Sequence, residues 1–302
     1  MDARILHFYL PPWLHDRVAR PASIFGRVKQ AADLAGWQMV LHGEDEPPAM
    51  DGYHLLFNRP VTRPRTLVLR KCGFDPFYRI EATNDRWDWQ VASAPFATDK
   101  GGEWFRKYWQ GALFQGYEIS KGGYAFMPLQ GKLLIQRHFQ TVSPVAMIET
   151  ALARDTARPI LASLHPRESY SPDEMAALAA LSAASSGRFM VSQKPSMELL
   201  AGCDYVVTQN STMALIGMFA EKTPVLFAEI DFHHLAGSVP QMGVQRAYAQ
   251  LQKPRKWGSY LHWYFKENAI TAHEDAAPAA ILARLAQLGW PIGPKTEKAA
   301  PS

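Results

Sequence analysis

The sequence predicts an α/β fold made of two doubly wound, parallel-rich sheets. Three observations lead there. Short apolar runs alternate with amphipathic stretches through most of the chain. The apolar runs stop at proline, glycine or small polar residues, as strands do where they pass into loops. The pattern changes at Gly122-Gly123 and then resumes more regularly, and 302 residues suit two domains of ordinary size.

In the first half, Arg4–Leu10 reads as a buried strand closed by Pro11-Pro12. A loop over Pro11–Arg20 carries Trp13, His15, Asp16 and Arg17. Pro21–Gly36 reads as a helix with an apolar stripe through Ile24, Phe25, Val28, Ala31, Ala32 and Leu34, and Gly36 supplies its stop. Gln38–His42, Tyr53–Phe57 and Arg65–Leu69 follow as strands, so strand, helix and strand form a βαβ unit. Lys71–Thr98 is rich in Trp, Phe, Asp and Arg, and reads either as a function-bearing loop or as an irregular packed connection. Glu103–Phe114 is a helix whose Trp104, Phe105, Tyr108 and Trp109 are expected to be core.

Beyond the glycine pair, Tyr124–Leu129 is a strand and Ser143–Arg154 a helix, and Pro159–Leu164 is the next strand. Ser171-Pro172-Asp173-Glu174 has the form of a capping box with proline at the first helical position, and opens a helix running towards Gly187. Strands at Phe189–Ser192, Tyr205–Thr208 and Pro224–Ala228 alternate with helices at Ser196–Ala201 and Thr212–Ala220, as in a doubly wound sheet. Tyr260–Glu267 is an aromatic helix and Ala277–Leu288 an amphipathic one. The expected divisions are an N-terminal domain over 1–120, a second over 121–270, a C-terminal helix over 271–290 and a disordered tail over 291–302.

Composition narrows the classes of function. The chain is 47% hydrophobic and 20% charged with net charge +4, ordinary globular values compatible with an anionic ligand or membrane surface. No basic run or motif points to nucleic acid. Cys72 and Cys203 are distant in sequence and form neither a disulfide framework nor a zinc pattern. The N-terminus does not read as a signal peptide, and no apolar window reaches the ~18 residues that a membrane helix needs. A cytoplasmic location is expected, with peripheral contact at the inner membrane left open.

The chemistry gathers where strands end. His165 follows the strand Pro159–Leu164, and Pro166 biases it towards extended backbone. An imidazole at the carboxyl edge of a sheet can donate to a phosphate oxygen, or can simply cap a loop. Asn210, Ser211 and Thr212 follow the strand Tyr205–Thr208 and open a helix, whose first turn attracts anions. Asn210 or Ser211 serves equally as an N-cap. Gln193-Lys194-Pro195-Ser196 lies in the same structural position between them. Three such junctions suggest a nucleotide pocket, although neither G-x-G-x-x-G nor the P-loop pattern is present. His233-His234 lacks the companions of a metal site, so no metal is expected.

Read in order, these pieces resemble the capsular-polysaccharide biosynthesis glycosyltransferases, the family of bacterial capsular Kdo transferases. The likeness rests on Tyr124-Ala125-Phe126-Met127-Pro128-Leu129-Gln130 with Ile135-Gln136, on Met147-Ile148-Glu149 and on Leu164-His165-Pro166. It continues through Glu198-Leu199-Leu200, Cys203–Thr212, Lys222-Thr223-Pro224-Val225 and Tyr260–Phe265. The resemblance implies a GT-B-like fold, two Rossmann-like domains facing a cleft, and transfer of Kdo from a CMP-activated donor without a metal or further cofactor. It implies that His165 with Pro166, Gln193, Asn210, Ser211 and Thr212 line the nucleotide site. It also implies a saccharide or glycolipid acceptor, held by groups such as Lys71 and Arg79, and a place in polysaccharide assembly.

In one place the chain departs from the family. An acidic residue tends to precede a glycine at the end of an N-domain strand there, whereas this sequence has Arg70-Lys71-Cys72-Gly73. The carboxylates left for general-base or nucleophilic work are Asp75, Glu81, Asp85 and, after the first strand, Asp16. Each can equally be a solvated or salt-bridged loop carboxylate. Two other readings therefore stand beside the first: a GT-B enzyme using a UDP- or GDP-sugar, and a non-catalytic saccharide- or nucleotide-binding partner in polysaccharide assembly.

Overall fold

The computed structural model describes residues 4–45, 51–97 and 101–292. In chain order the elements begin with β1 (Ile5–Leu10), a 3-10 helix (Pro12–Ala19), α1 (Ile24–Leu34), β2 (Gln38–Gly43), β3 (Tyr53–Phe57), β4 (Thr66–Lys71) and β5 (Phe77–Glu81). After a short 3-10 turn come α2 (Gln90–Ser93), α3 (Glu103–Leu113), β6 (Ala125–Pro128), α4 (Pro144–Arg154), β7 (Ile160–Ser163), α5 (Pro172–Ala184) and β8 (Phe189–Val191). Then follow α6 (Ser196–Gly202), β9 (Tyr205–Thr208), α7 (Thr212–Phe219), β10 (Pro224–Leu226), β11 (Gly237–Ser238) and α8 (Val239–Ala249). The last are α9 (Trp257–His262), which widens into a π turn at Trp263–Glu267, β12 (Ile270–Thr271) and α10 (Ala277–Gln287).

These elements form two compact units, Met1–Gln90 together with Phe265–Ser302, and Val91–Tyr264. Each is a Rossmann-like α/β unit around its own six-stranded sheet. The sequence-based boundary at 120/121 therefore differs from the units on two counts. The helix α3 belongs with the second unit, where Arg106 donates to the Phe219 carbonyl at 2.8 Å. The C-terminal helix α10 belongs with the first, where it packs on α1 and places Ile281, Leu285 and Trp290 in the core with Phe8, Val28 and Trp37. Of the expected C-terminal tail, residues 293–302 lie outside the described residues.

In the first unit the strand order is β12-β5-β4-β3-β1-β2. β2, β1, β3 and β4 are parallel, and β5 and β12 are antiparallel additions. The second sheet is parallel throughout, in the order β11-β10-β9-β6-β7-β8. Numbered within the unit, that order is 3-2-1-4-5-6, the Rossmann arrangement, and its reversal point lies between β6 and β9. Strands buried on both faces by helices need continuous apolar sequence, which Ala125-Phe126-Met127 and Tyr205-Val206-Val207 provide; all six are buried.

Local chemistry sets the helix starts. Ser23, Ser143 and Ser211 each accept a backbone N–H from the first turn of α1, α4 and α7. The predicted capping box at α5 is complete: Ser171 Oγ accepts from the Glu174 N–H at 3.2 Å, and Glu174 accepts from the Ser171 N–H at 2.8 Å. Gly36 ends α1 at φ +66°, a conformation that costs glycine little.

The structure differs from the sequence reading at several elements, and Leu34, expected on the apolar stripe of α1, is 70% exposed at the end of that helix. Lys71–Thr98 contains the strand β5, all of it buried, so it is not wholly an irregular loop. β11 and α8 follow β10 with no forecast, because a two-residue strand has no period to read and α8 is broken at Gly243 by φ 75°. The aromatic residues of α3 are not all core. Phe105 is buried, but Trp104 and Tyr108, one turn apart, are 61% and 66% exposed.

Candidate functional site

Ligands of open α/β sheets bind outside the carboxyl ends of the strands, at the reversal of strand order. In the second unit that point is the pair Pro128 and Thr208, at the ends of β6 and β9. Thr208 Oγ1 donates to the Pro128 carbonyl at 3.0 Å and ties the two strand ends together. The predicted residues His165, Pro166, Gln193, Asn210, Ser211 and Thr212 all fall on this carboxyl edge, in the segments leaving β7, β8 and β9.

His165 is exposed, and both its backbone and its ring are held. Its N–H donates to Tyr170 Oη at 2.8 Å, and Nδ1 accepts the Arg167 N–H at 3.2 Å. An accepting Nδ1 leaves the proton of a neutral imidazole on Nε2, which is therefore the ring's donor. Pro166 and Gln193 line a cavity of about 320 Å³ together with Ser163, Leu164, Ser192 and Ser196, near the lower end of the usual range for ligand pockets. Ser196 Oγ donates to Ser163 Oγ at 3.0 Å across its floor. Lys194, also on its wall, is paired with Glu198 at 2.6 Å.

Ser211 is the N-cap of α7, its Oγ accepting from the Met213 N–H at 3.3 Å. Thr212 is the first helical residue, and Asn210 stands just before the cap, half-buried. The capping role weighed from sequence is thus the one that Ser211 performs in this structure.

Several groups at this edge were not singled out from sequence. The segment leaving β6, residues 129–143, lies over the ends of β9 and β10. The Thr141 N–H donates to the Phe227 carbonyl, Gln140 bridges to Ala228, and Gln209 Nε2 donates to the Val142 carbonyl at 3.0 Å. Glu174 of the capping box also accepts the Leu133 N–H at 2.5 Å, so one carboxylate fixes both α5 and this segment. Its hydrogen bonds from the Ser171 and Leu133 N–H groups hold its pKa below the usual carboxylate range, against the opposing effect of burial. Arg137 belongs to the same segment. Nothing at the level of spacing marks it, because its position depends on the long-range packing of that loop.

In the first unit the candidate carboxylates separate by edge. Lys71 pairs with Tyr78 in register, so the β4–β5 turn that holds Asp75 lies at the carboxyl edge of the parallel strands. Asp16, exposed, is on the segment leaving β1 at the same edge, and its neighbour Arg17 acts electrostatically on Asp75. Asp75 accepts from Lys71 Nζ at 2.5 Å and from Tyr78 Oη. Burial opposes its ionisation, but the hydrogen bonds from Lys71 and Tyr78 outweigh that and hold the carboxyl below its usual range. Such a group is ionised at neutral pH. It suits a nucleophile or a charge stabiliser better than a general base, whose best pKa lies near the working pH.

Glu81 faces Val68 across the register, towards the opposite edge. It is 4% exposed and accepts from Arg284 Nη2 at 2.5 Å, and burial pushes its pKa up. Arg79 is buried on β5 beside Arg70, and Asp85 precedes the short turn at Arg86. The structure thus brings Asp16, Lys71 and Asp75 to one edge and leaves Glu81 away from it.

His233 and His234 stack at 4.4 Å, with Nδ1 of His233 on the Ile230 carbonyl and Nε2 of His234 on the Ala94 carbonyl. Among the described residues no group of three or more His, Cys, Asp or Glu side chains is placed to hold a metal ion, and no helix is long and apolar enough to cross a membrane.

No family model matches the sequence, and no curated protein matches it. Among solved structures, the chain is similar to the beta Kdo 2,7 transferase KpsC of Thermosulfurimonas dismutans. That match has a TM-score of 0.48 and 10% identity, and covers 94% of this chain and 99% of the transferase. A likeness so distant carries no argument about activity.

Proposed function

We propose that this protein is a glycosyltransferase that moves an acidic sugar, Kdo, from CMP to a saccharide or glycolipid acceptor in capsule or surface polysaccharide synthesis. The observation that carries the reading is the gathering of His165, Gln193, Asn210, Ser211 and Thr212 on the carboxyl edge of a parallel sheet with Rossmann order. The ordered motifs that resemble the capsular Kdo transferases supply the donor.

In this reading the nucleoside occupies the cavity walled by Pro166 and Gln193. The phosphate is held by Nε2–H of His165 and by the positive N-terminal end of α7. As the sugar–phosphate bond breaks, negative charge grows on the departing CMP. Donors fixed there before the reaction lower the barrier because they bind that charge more strongly than the ground state. The donor is the substrate, and no other cofactor is invoked. The acceptor lies at the carboxyl edge of the first unit, with Lys71 supplying positive charge and Asp75 the ionised carboxylate; Arg79, buried on β5, is not placed to touch it. Trp104 and Tyr108, exposed beside Lys107, suit peripheral contact with a membrane that presents a glycolipid.

A non-catalytic nucleotide- or saccharide-binding role is the second reading. Its support is Cys72, fully buried before Gly73 at the position where the resembling family tends to have an acidic residue. A donor panel separates the readings. Purified protein incubated with CMP-Kdo, UDP-sugars and GDP-sugars should release CMP alone. Nucleotide binding without turnover of any donor would select the binding role, and release of UDP or GDP would replace the donor.

A further inference from the structure

Several arginines packed into this protein spend their guanidinium groups on the chain. Arg27 Nε donates to the Ala272 carbonyl, Arg255 Nε to the Leu235 carbonyl, and Arg284 Nε to the Ile80 carbonyl. Arg106 puts Nε on Glu103 and Nη1 on the Phe219 carbonyl. Arg137 is different. Its Nε and Nη2 are both buried and make no hydrogen bond among the described residues. These two nitrogens share one edge of the planar guanidinium. They form the side-on fork that grips a carboxylate or phosphate through two oxygens at once.

The rest of the residue is firmly placed. The Arg137 N–H donates to Gln140 Oε1 at 2.8 Å, and Gln136 Nε2 donates to the Gln140 carbonyl at 3.0 Å, which closes the turn around it. The guanidinium lies 4.9 Å from the centre of the Phe139 ring, which fixes one face. Glu168 is near enough to act electrostatically, yet it forms no hydrogen bond to the fork. Nε2 of Gln140, in the same segment, and Oε1 of Gln209, whose Nε2 holds the Val142 carbonyl of that segment, are also buried without hydrogen-bond partners among the described residues, and these residues are 4% and 3% exposed. Buried guanidinium N–H groups that no acceptor meets are costly, and a purely structural arginine would be replaced by an apolar residue at little loss. The position at the reversal of strand order is where this sheet type receives its ligand.

We propose that Arg137 anchors an oxyanion of the donor substrate, taking two of its oxygens on Nε and Nη2, with Gln140 and Gln209 meeting neighbouring polar groups. The inference rests on the donor reading for the ligand's identity, because a CMP-activated sugar acid carries two such anions, the nucleotide phosphate and the sugar carboxylate. The shared chemistry is a two-oxygen anion. Arg137 acts as a binding residue in addition to His165.

The test uses the full chain, wild type against Arg137→Met and Arg137→Lys, with inorganic phosphate, CMP, free Kdo and cytidine as probes. Calorimetry reads affinity, and thermal melting reads the anion-free protein. Arg137→Met is expected to melt at or above wild type without anions, and to bind CMP or Kdo at least tenfold more weakly while its response to cytidine is unchanged. Loss confined to CMP assigns the fork to phosphate, and loss confined to Kdo assigns it to carboxylate. Arg137→Lys keeps the charge without the fork and recovers only part of the affinity; it carries the test if the methionine variant does not fold. Wild-type affinity for both CMP and Kdo in the variants overturns the proposal, as does a wild type that binds none of the three anions. If phosphate binds through Arg137 while CMP binds no better than phosphate, the donor reading fails and the arginine assignment stands. If CMP binding depends on His165 and not on Arg137, the reverse holds.

Discussion

Asp75 and Glu81 sit on the same hairpin and meet opposite environments. Asp75 is exposed, and two donors keep it ionised. Glu81 is buried, and its charge is tolerated because Arg284 faces it. Removing one member of a buried pair leaves the other charge uncompensated, which costs about 3–5 kcal/mol where both are fully buried. Arg284 keeps other partners in the Ile80 carbonyl and Gln90, so Glu81→Gln should lose about 2–3 kcal/mol, read as a lower urea midpoint with an unchanged slope. Asp75→Asn removes an exposed pair and should change stability by less than about 1 kcal/mol. If Asp75 acts in the transfer, the same variant should slow turnover by roughly a hundredfold or more. Stability loss in Asp75→Asn as large as in Glu81→Gln would contradict this division.

Among the elements, α5 and the helix pair α3 and α9 carry the clearest consequences. Glu174→Ala removes both the capping box and the acceptor of the Leu133 N–H, whereas Ser171→Ala removes only the cap. A lost cap costs about 1 kcal/mol, so Ser171→Ala should lower stability by that amount and Glu174→Ala by about twice as much. Glu174→Ala should also weaken nucleotide binding, because it frees the segment leaving β6. Thermal melting with and without CMP checks both halves. The α3–α9 contact depends on glycine: a Cβ at Gly258 would lie 2.7 Å from the Glu103 backbone nitrogen, and one at Gly102 would lie 2.1 Å from the Gly258 carbonyl oxygen. Gly258→Ala should therefore destabilise by about 1–3 kcal/mol, since the Glu103 backbone it would meet cannot swing aside as a side chain can.

Elements were legible where a short-range rule governs them. Tyr53–Phe57 and Tyr205–Thr208 appear as strands with the predicted ends, and the capping box opens α5 at the predicted residue. β5 was hidden because Phe77-Tyr78-Arg79-Ile80-Glu81 is buried on both faces despite two charges, which the first unit neutralises through residues distant in sequence. The junction residues of the second sheet were readable for the same reason as the strands, since each follows an apolar run. Arg137 was not, because an orphaned fork is a property of packing and leaves no trace in spacing.

For the molecule as a whole, acid should act first on a cluster of histidines in the first unit. His7, His42 and His54 lie side by side with Tyr9 on β1, β2 and β3, and His7 Nδ1 is 2.9 Å from His42 Nε2. Burial, then the charges of Arg63, His7 and His42, lowers the His54 pKa to about 4, and burial with His42 lowers that of His7 as well. An unfolded chain binds the His54 proton below about pH 6.5, whereas the folded chain resists it until about pH 4. Protons therefore favour the unfolded state in that window. The contribution is fully present above about pH 6.5 and falls as pH drops towards 4, by about 3 kcal/mol for His54 at most. Urea midpoints at about pH 7 and about pH 5 should differ, and His54→Gln should narrow the difference. An equal difference in the variant would place the acid sensitivity elsewhere.

The central claim is that the carboxyl edge of the second sheet holds CMP, with His165 on its phosphate. It is tested most directly by titrating CMP into wild type and His165→Ala by calorimetry. A hydrogen bond to a charged group contributes about 1.5–3 kcal/mol, so the variant should bind CMP roughly ten- to a hundredfold more weakly. Equal affinity in the two proteins would remove His165 from the nucleotide site and contradict the account.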